Sequence, residues 1–433
     1  MSYDLSFIAK DALRLLTEGG ADRAQCTVSL SEKREFNMDG GEFSLFRTTM
    51  TGRISLVAYK GGRRAVLAVS RLDGDSLARA VKDCLALADA ASPDDAWEIA
   101  PHIGQRAFSV GTREPDTDRL FTRTRELADT IKENYPKILI EQMIVDHTGW
   151  ESVYADTSDN LYTDDGGTYN VSLMFSGHEG ESSSSFFATG FSTESLDLPF
   201  LRLGSLASLL ESAEKQIKTV PVEGKFVGTV IFSPECAAEL LSSVVDSFAS
   251  GSALIEGTSI WRDKLGETVA AGDFSLALAP HTEGILHREE YTSDGYPTEN
   301  FYLIENGVLK SFVASAYAAN KAGVERSPNT SSAFVVEGGE RSLSEIISGI
   351  DRGLLVQRIS GGRPASSGDF SAVAKNSFLI ENGRLSDAVS ETMITGNLAE
   401  MILGPLERSR ERVADGSTHL PYLAFSGMTV SGK

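Results

Sequence analysis

The stretch Tyr302-Leu-Ile-Glu-Asn-Gly-Val-Leu309 is echoed further on by Phe378-Leu-Ile-Glu-Asn-Gly-Arg-Leu385. In each, an apolar run enters an Asn-Gly pair and leaves it again. A two-residue type I′ turn needs positive φ at both central residues, and Asn-Gly meets that demand at low steric cost. The two stretches therefore commit the end of the chain to antiparallel pairing. The sequence between them does not repeat, so they read as two hairpins of one mainly antiparallel sheet system and not as solenoid units. They speak to fold and not to chemistry.

The beginning of the chain reads differently. Phe7, Ile8, Ala12, Leu13, Leu15 and Leu16 recur at helical spacing, and Gly19-Gly20 supplies a stop. A strand is expected over 25–31, a turn at Asp39-Gly40-Gly41 and an alternating strand over 52–59. Gly61-Gly62 turns that strand back into 65–70, and Asp73 opens a second helix. A further helix is expected over 120–134, a buried strand over 137–145, turns at Ser158-Asp-Asn160 and Asp164-Asp-Gly-Gly167, and helix over 201–218. The fold class expected is α+β: an N-terminal mixed α/β region and a C-terminal, largely antiparallel β domain with helices. The divisions expected are 1–113, 114–221 (packing with the first) and 222–433.

Composition excludes several function classes. With 61 acids against 40 bases the chain carries a formal charge of -21, which repels phosphate backbones, so no nucleic-acid partner is expected. The basic runs Lys60-Gly-Gly-Arg-Arg64 and Arg408-Ser-Arg-Glu-Arg412 are short and lack interleaved aromatics. Cys26, Cys84 and Cys236 are scattered, which fits neither a disulfide framework nor a thiolate zinc site, and suits a reducing cytosol. No leader or membrane-spanning stretch is read from the sequence, and a soluble cytoplasmic protein is expected.

The segment from Ser233 to Gly251 reads as a helix following the strand 227–232. Ser233 stands at the N-cap, Pro234 at the first helical position and Gly251 where a C-terminal cap is expected. Ala237, Leu240, Leu241, Val244, Val245 and Phe248 form one apolar stripe. Glu239, Ser242, Ser243, Asp246 and Ser250 fall on the other side.

Here a resemblance becomes specific. Phe232-Ser-Pro-Glu235 with its helix, Gly257-Thr-Ser-Ile260, Asp263-Lys-Leu-Gly266 and Ser293-Asp-Gly-Tyr-Pro-Thr298 resemble the C-terminal domain of the TldD/PmbA family. The two Asn-Gly hairpins, Gly368-Asp-Phe-Ser371, Thr395-Gly-Asn-Leu398 and Gly427-Met-Thr-Val430 continue the match in order. The similarity covers about the last 210 residues and is looser before them. The resemblance implies a cytoplasmic metallopeptidase built from two related subunits. In such a pair the TldD subunit carries His-Glu-x-x-x-His on the helix after the Ser-Pro-Glu cap, and a cysteine near the C-terminus as third ligand. Laid on this sequence, the motif positions are Ser242 and Ser243 for the His-Glu pair and Ser247 for the second His, and no cysteine follows Cys236. Serine hydroxyls are poor zinc ligands at neutral pH, and without the glutamate no base is placed to take a proton from bound water. The chain thus resembles the metal-free TldE/PmbA subunit: no catalytic residue and no cofactor of its own, with zinc expected in a TldD-like partner.

Other constellations are weaker. His281, Glu283 and His287 could gather a metal if their loop folded back, although a six-residue spacing fits no standard helical ligand pair. Ser182-Ser-Ser-Ser185 lacks a nucleophile elbow and reads as a polar strand face or a turn. Asp246, Trp261 and Tyr296 are candidate lining for a peptide groove. Two functions are implied by the resemblance. One is the non-metal subunit of a heterodimer acting on unfolded or extended peptides, with homodimers when the chain is alone. The other is a stand-alone peptide- or protein-binding regulator, as the gyrase-modulator name given to family members suggests. A self-sufficient peptidase using unrecognised residues is a third.

Overall fold

In the computed structural model, which describes residues 3–362 and 364–432, two sheets divide the chain and the architecture is α+β. The first runs Arg63–Val69, Glu42–Lys60, Arg23–Asp39, Ile138–Asp156, Leu161–Glu179, Gln105–Gly111, with Phe187–Thr193 also pairing onto Leu161–Glu179. All of these pairs are antiparallel except Gln105–Gly111 against Leu161–Glu179. The second sheet has 11 strands, from Lys225–Phe232 to His419–Ser431. Most pair antiparallel; Lys225–Phe232 lies parallel to Arg352–Ser360.

Local chemistry accounts for the ends of the elements. Helix Leu5–Glu18 begins at Asp4, whose carboxylate accepts the Phe7 N–H at 2.9 Å, and Gly74–Ala90 begins at Asp73 in the same way with Ser76. Leu5, Ile8, Ala9, Ala12 and Leu16 face the first sheet with Leu77, Ala80, Val81, Cys84 and Leu85. Phe7, which the helical spacing counts with them, is instead 67% exposed. Helices Thr117–Asn134 and Leu206–Lys215 cover the other half of that sheet.

Both Asn-Gly turns form as expected. Asn306 and Gly307 have φ of 48° and 77°, Asn382 and Gly383 of 50° and 76°, and the flanking pairs are Glu305↔Val308 and Glu381↔Arg384. The turn expected at Asp164–Gly167 does not exist. Those residues lie inside strand Leu161–Glu179, paired with Ile138–Asp156 on one side and Gln105–Gly111 on the other. The glycines serve close approach there: a Cβ at Gly166 would meet the Val110 carbonyl, and one at Gly167 the Thr112 carbonyl and the His147 ring. The helix expected over 201–218 is a short 3₁₀ turn, Phe200–Arg202, followed by Leu206–Lys215. The chain then crosses to the second sheet held by Gln216, whose side chain donates to Ser377 O, and by Val220, bridged to Val389.

Gly307 and Gly41 separate two costs. Both have positive φ, but a Cβ at Gly307 would sit 2.7 and 2.8 Å from the Ala270 and Ala271 carbonyls, whereas nothing lies within 4 Å at Gly41. Left-handed backbone costs an alanine about 1–2 kcal/mol at either site, and crowding adds about 1–3 kcal/mol at the first alone. Gly307→Ala is therefore expected to melt at a clearly lower temperature than Gly41→Ala in thermal denaturation followed by circular dichroism.

Candidate functional site

The helix after Lys225–Phe232 is built in two parts: α-helix over Pro234–Val244, then a π-helical turn over Val245–Ala249. Its apolar stripe is buried as the spacing predicts, from Ala237 and Phe248 at 0% exposed to Val245 at 6%. Ser233 takes the N-cap position in extended conformation, but its hydroxyl accepts no N–H of the first turn. At the other end the expectation fails. Gly251 is not a C-terminal cap; it is the first residue of a new helix, Gly251–Glu256, whose N-cap is Ser250. A Cβ there would lie 2.5 Å from that of Ala318, so the residue is small because helix Ala316–Ala322 packs close against it.

The π turn links the two helices. Its wider i→i+5 bonding is frequent at functional sites, and here the Asp246 carbonyl accepts the Ser250 hydroxyl at 2.7 Å. The same hydroxyl accepts the Ala253 N–H at 3.2 Å. One serine thus closes the end of one helix and starts the next.

On the outer side of this helix lies an open cleft of about 350 Å³. Ser242, Asp246, Ser250 and Ser252 form one wall, Ser315 and the run Thr330 to Ser332 the other. The second wall was not legible as part of a site. It is placed by Asn329, fully buried, whose amide donates to the Leu278 and Glu299 carbonyls at 2.9 and 2.8 Å and whose oxygen accepts from Ser331. Glu289 accepts both the Thr330 N–H and its hydroxyl, at 2.7 and 2.6 Å. The only sequence signal is the cluster of small polar residues in Ser327-Pro-Asn-Thr-Ser-Ser332, which reads equally well as an ordinary loop.

Of the motif positions, Ser242 faces the cleft. Ser243 does not line it and donates its hydroxyl back to the Glu239 carbonyl at 3.0 Å. Ser247 is half-buried and also outside the lining. Desolvation holds the Glu239 carboxyl above the ordinary carboxylate range, with Arg358 opposing it, and burial pushes the Cys236 thiol up, so that thiol is neutral. Asp246 lines the cleft. Trp261 does not: it is 1% exposed and packs on Phe248, 5.1 Å between ring centroids, because the apolar indole joins the core under the helix. Tyr296 does not either. Its hydroxyl donates to Glu98 at 2.9 Å and Arg326 covers its ring at 3.9 Å, which fixes it between the two sheets' loops.

The residues present do not fit a zinc ion. Among the described residues no group of three or more His, Cys, Asp or Glu is placed to hold a metal, and the cleft offers hydroxyls and one carboxylate, a set with little affinity for zinc. His281, Glu283 and His287 are not brought together. His281 Nε2 bonds Thr298 Oγ1 at 2.9 Å, and His287 Nε2 bonds Ser192 Oγ at 2.8 Å in a separate cleft of about 290 Å³. That serine is not a nucleophile poised on a histidine base. Asn170 donates its amide to Asp146 at 2.9 Å, so its oxygen must accept, and it does so from Ser192 at 2.7 Å. The hydroxyl proton therefore points to Asn170, and His287 donates to Ser192. Ser182–Ser183 form a short strand paired with His178 and Glu179, in line with the hairpin reading.

Known proteins share this fold. Residues 224–432 match the model of the PmbA/TldA metallopeptidase C-terminal domain. The chain is 24% identical to a metalloprotease PmbA homolog of Haemophilus influenzae, over 96% of this chain and 94% of that one. The fold is shared with the crystal structure of TldE from Thermococcus kodakarensis, at a TM-score of 0.85 and 22% identity over 98% of this chain and 99% of that one. It is shared too with a Bacteroides thetaiotaomicron protein named for a proposed modulation of DNA gyrase, at a TM-score of 0.87 and 23% identity over the whole of both chains. Among the described residues no helix is long and apolar enough to cross a membrane.

The hydroxyl of Ser250 gives a local test. Ser250→Ala removes a cap and leaves the Asp246 carbonyl without that donor, at an expected cost of about 0.5–2 kcal/mol, read as a lowered midpoint in chemical denaturation. Ser243→Ala, which loses only a bond back along its own helix, is expected to change the midpoint far less.

Proposed function

This chain belongs to the TldD/PmbA family, and we propose that it serves there as the non-metal subunit of a heterodimeric metallopeptidase. In this reading a TldD-like partner with an intact His-Glu-x-x-x-His helix supplies zinc and the general base. The present chain completes the chamber that receives unfolded or extended peptides. The observation that carries the reading is the cleft helix itself: it keeps its strand, its Ser-Pro-Glu start and its buried stripe, while the motif positions hold Ser242, Ser243 and Ser247. A hydroxyl-lined cleft with one carboxylate suits hydrogen bonding to a peptide main chain, which asks little of substrate sequence. The three buried free cysteines suit the reducing cytoplasm in which such a pair would work.

Coexpression with an intact-motif homologue tests this. The two chains are expected to copurify, and the complex to cleave an unstructured peptide that the present chain alone leaves intact. Replacing the partner's motif glutamate is expected to abolish cleavage without separating the chains. Failure to associate, together with cleavage by the partner that is indifferent to this chain, would instead favour a stand-alone peptide- or protein-binding regulator.

A further inference from the structure

The hydroxyls that line the cleft beside Ser242 have mostly committed their protons inside the protein. A serine or threonine hydroxyl has one proton and two lone pairs. Ser250 donates its proton to the Asp246 carbonyl at 2.7 Å, so in its 3.0 Å contact with Ser252 the proton comes from Ser252. Thr330 gives both its N–H and its O–H to the Glu289 carboxylate, at 2.7 and 2.6 Å. Ser331 gives its N–H and its O–H to the Asn329 side-chain oxygen, at 3.1 and 2.9 Å. The Asn329 amide donates to two carbonyls, so that oxygen accepts and the direction of both bonds is fixed. What Ser252, Thr330 and Ser331 still offer to the cleft is lone pairs. The hydroxyls of Ser242, Ser315 and Ser332 have no such fixed direction and can turn to accept. Asp246, exposed in the same lining, adds a carboxylate. Among the described residues the walls hold no lysine, arginine or histidine.

We infer that this cleft takes a basic side chain of a peptide, the guanidinium of arginine or the ammonium of lysine, and that Asp246 selects it. The inference deepens the peptide reading proposed above and rests on it. Acceptors in excess offer an incoming carboxylate or phosphate few donors and bring lone pairs face to face. A group with several N–H donors and a positive charge meets both features of the cleft: guanidinium carries five donors and ammonium three. Hydrogen bonds in which both partners are ionised are the stronger kind. A bare metal ion is served less well, since the opening is about 350 Å³ and among the described residues no three His, Cys, Asp or Glu converge on one point. The charge of -21 draws cationic peptides toward the whole molecule, and every acid contributes to that. Choice at the cleft falls to Asp246, the one carboxylate in its lining among the described residues. Glu289 and Asn329 are positioning residues: they take up the donors of the second wall and leave its lone pairs.

Fluorescence anisotropy on the full-length chain tests it, with labelled, N-acetylated peptides of glycine and serine that carry one central arginine, lysine or citrulline. Citrulline keeps the shape of arginine without its charge. Both basic peptides are expected to bind about tenfold more tightly than the citrulline peptide, the low end of what a hydrogen bond to a charged group contributes. Asp246→Asn is expected to remove that difference while the circular dichroism spectrum stays unchanged. Asp75→Asn, at an exposed position on helix Gly74–Ala90, removes the same charge and is expected to leave the difference intact. A preference that survives Asp246→Asn, or that falls equally with Asp75→Asn, would overturn the inference. Basic and citrulline peptides that bind alike would overturn the selection by Asp246 and leave the peptide reading standing. No binding by any of them would overturn both.

Discussion

Burial of one stripe of the helix Pro234–Ala249 against the second sheet is the interaction on which the cleft depends. Ala237, Leu240, Leu241, Val244, Val245 and Phe248 are all withdrawn from water there. At roughly 1.5–3 kcal/mol for each large apolar side chain, an upper estimate, the stripe supplies on the order of 10 kcal/mol. The opposite face contributes little of this. The side chains on that face can therefore vary while the helix, its sheet and the cleft stay in place.

The first sheet holds the surroundings of the cleft through polar groups that would be costly to bury unpaired. Gln25 donates to the Tyr154 hydroxyl and to the Ser293 carbonyl, and Tyr162 donates to the Gly295 carbonyl. Asp294 accepts the Ala316 N–H at 2.7 Å, which ties the same loop to the helix packed on Gly251. From the strand that carries Gln25 to the cleft floor the contacts are continuous. Burial with Asp156 at hand keeps the Tyr154 hydroxyl neutral and able to donate to it at 2.9 Å.

Much of this was legible in the sequence where the signal is local. Asn306-Gly307 and Asn382-Gly383 announce their turns because few residue pairs tolerate that backbone, and the stripe on the cleft helix is set by spacing alone. Asp164–Gly167 misled because acids and glycines signal a turn as strongly as they permit close packing of strands. Only the strand Gln105–Gly111 lying against them, a partner distant in sequence, separates the two. Trp261 was offered as groove lining from its position in the chain, and its burial on Phe248 is a tertiary outcome. The π turn has no sequence mark, and the Thr330 to Ser332 wall becomes part of a site only when Asn329 and Glu289 fold it opposite Ser242.

The central claim is that the donor set of this chain does not hold zinc and that a partner's does. Metal content measured by mass spectrometry after exhaustive dialysis tests it most directly, on the chain alone and on its complex with an intact-motif homologue. The account predicts zinc far below one ion per chain for the isolated protein and one ion per pair for the complex. One tightly held zinc per isolated chain would contradict it.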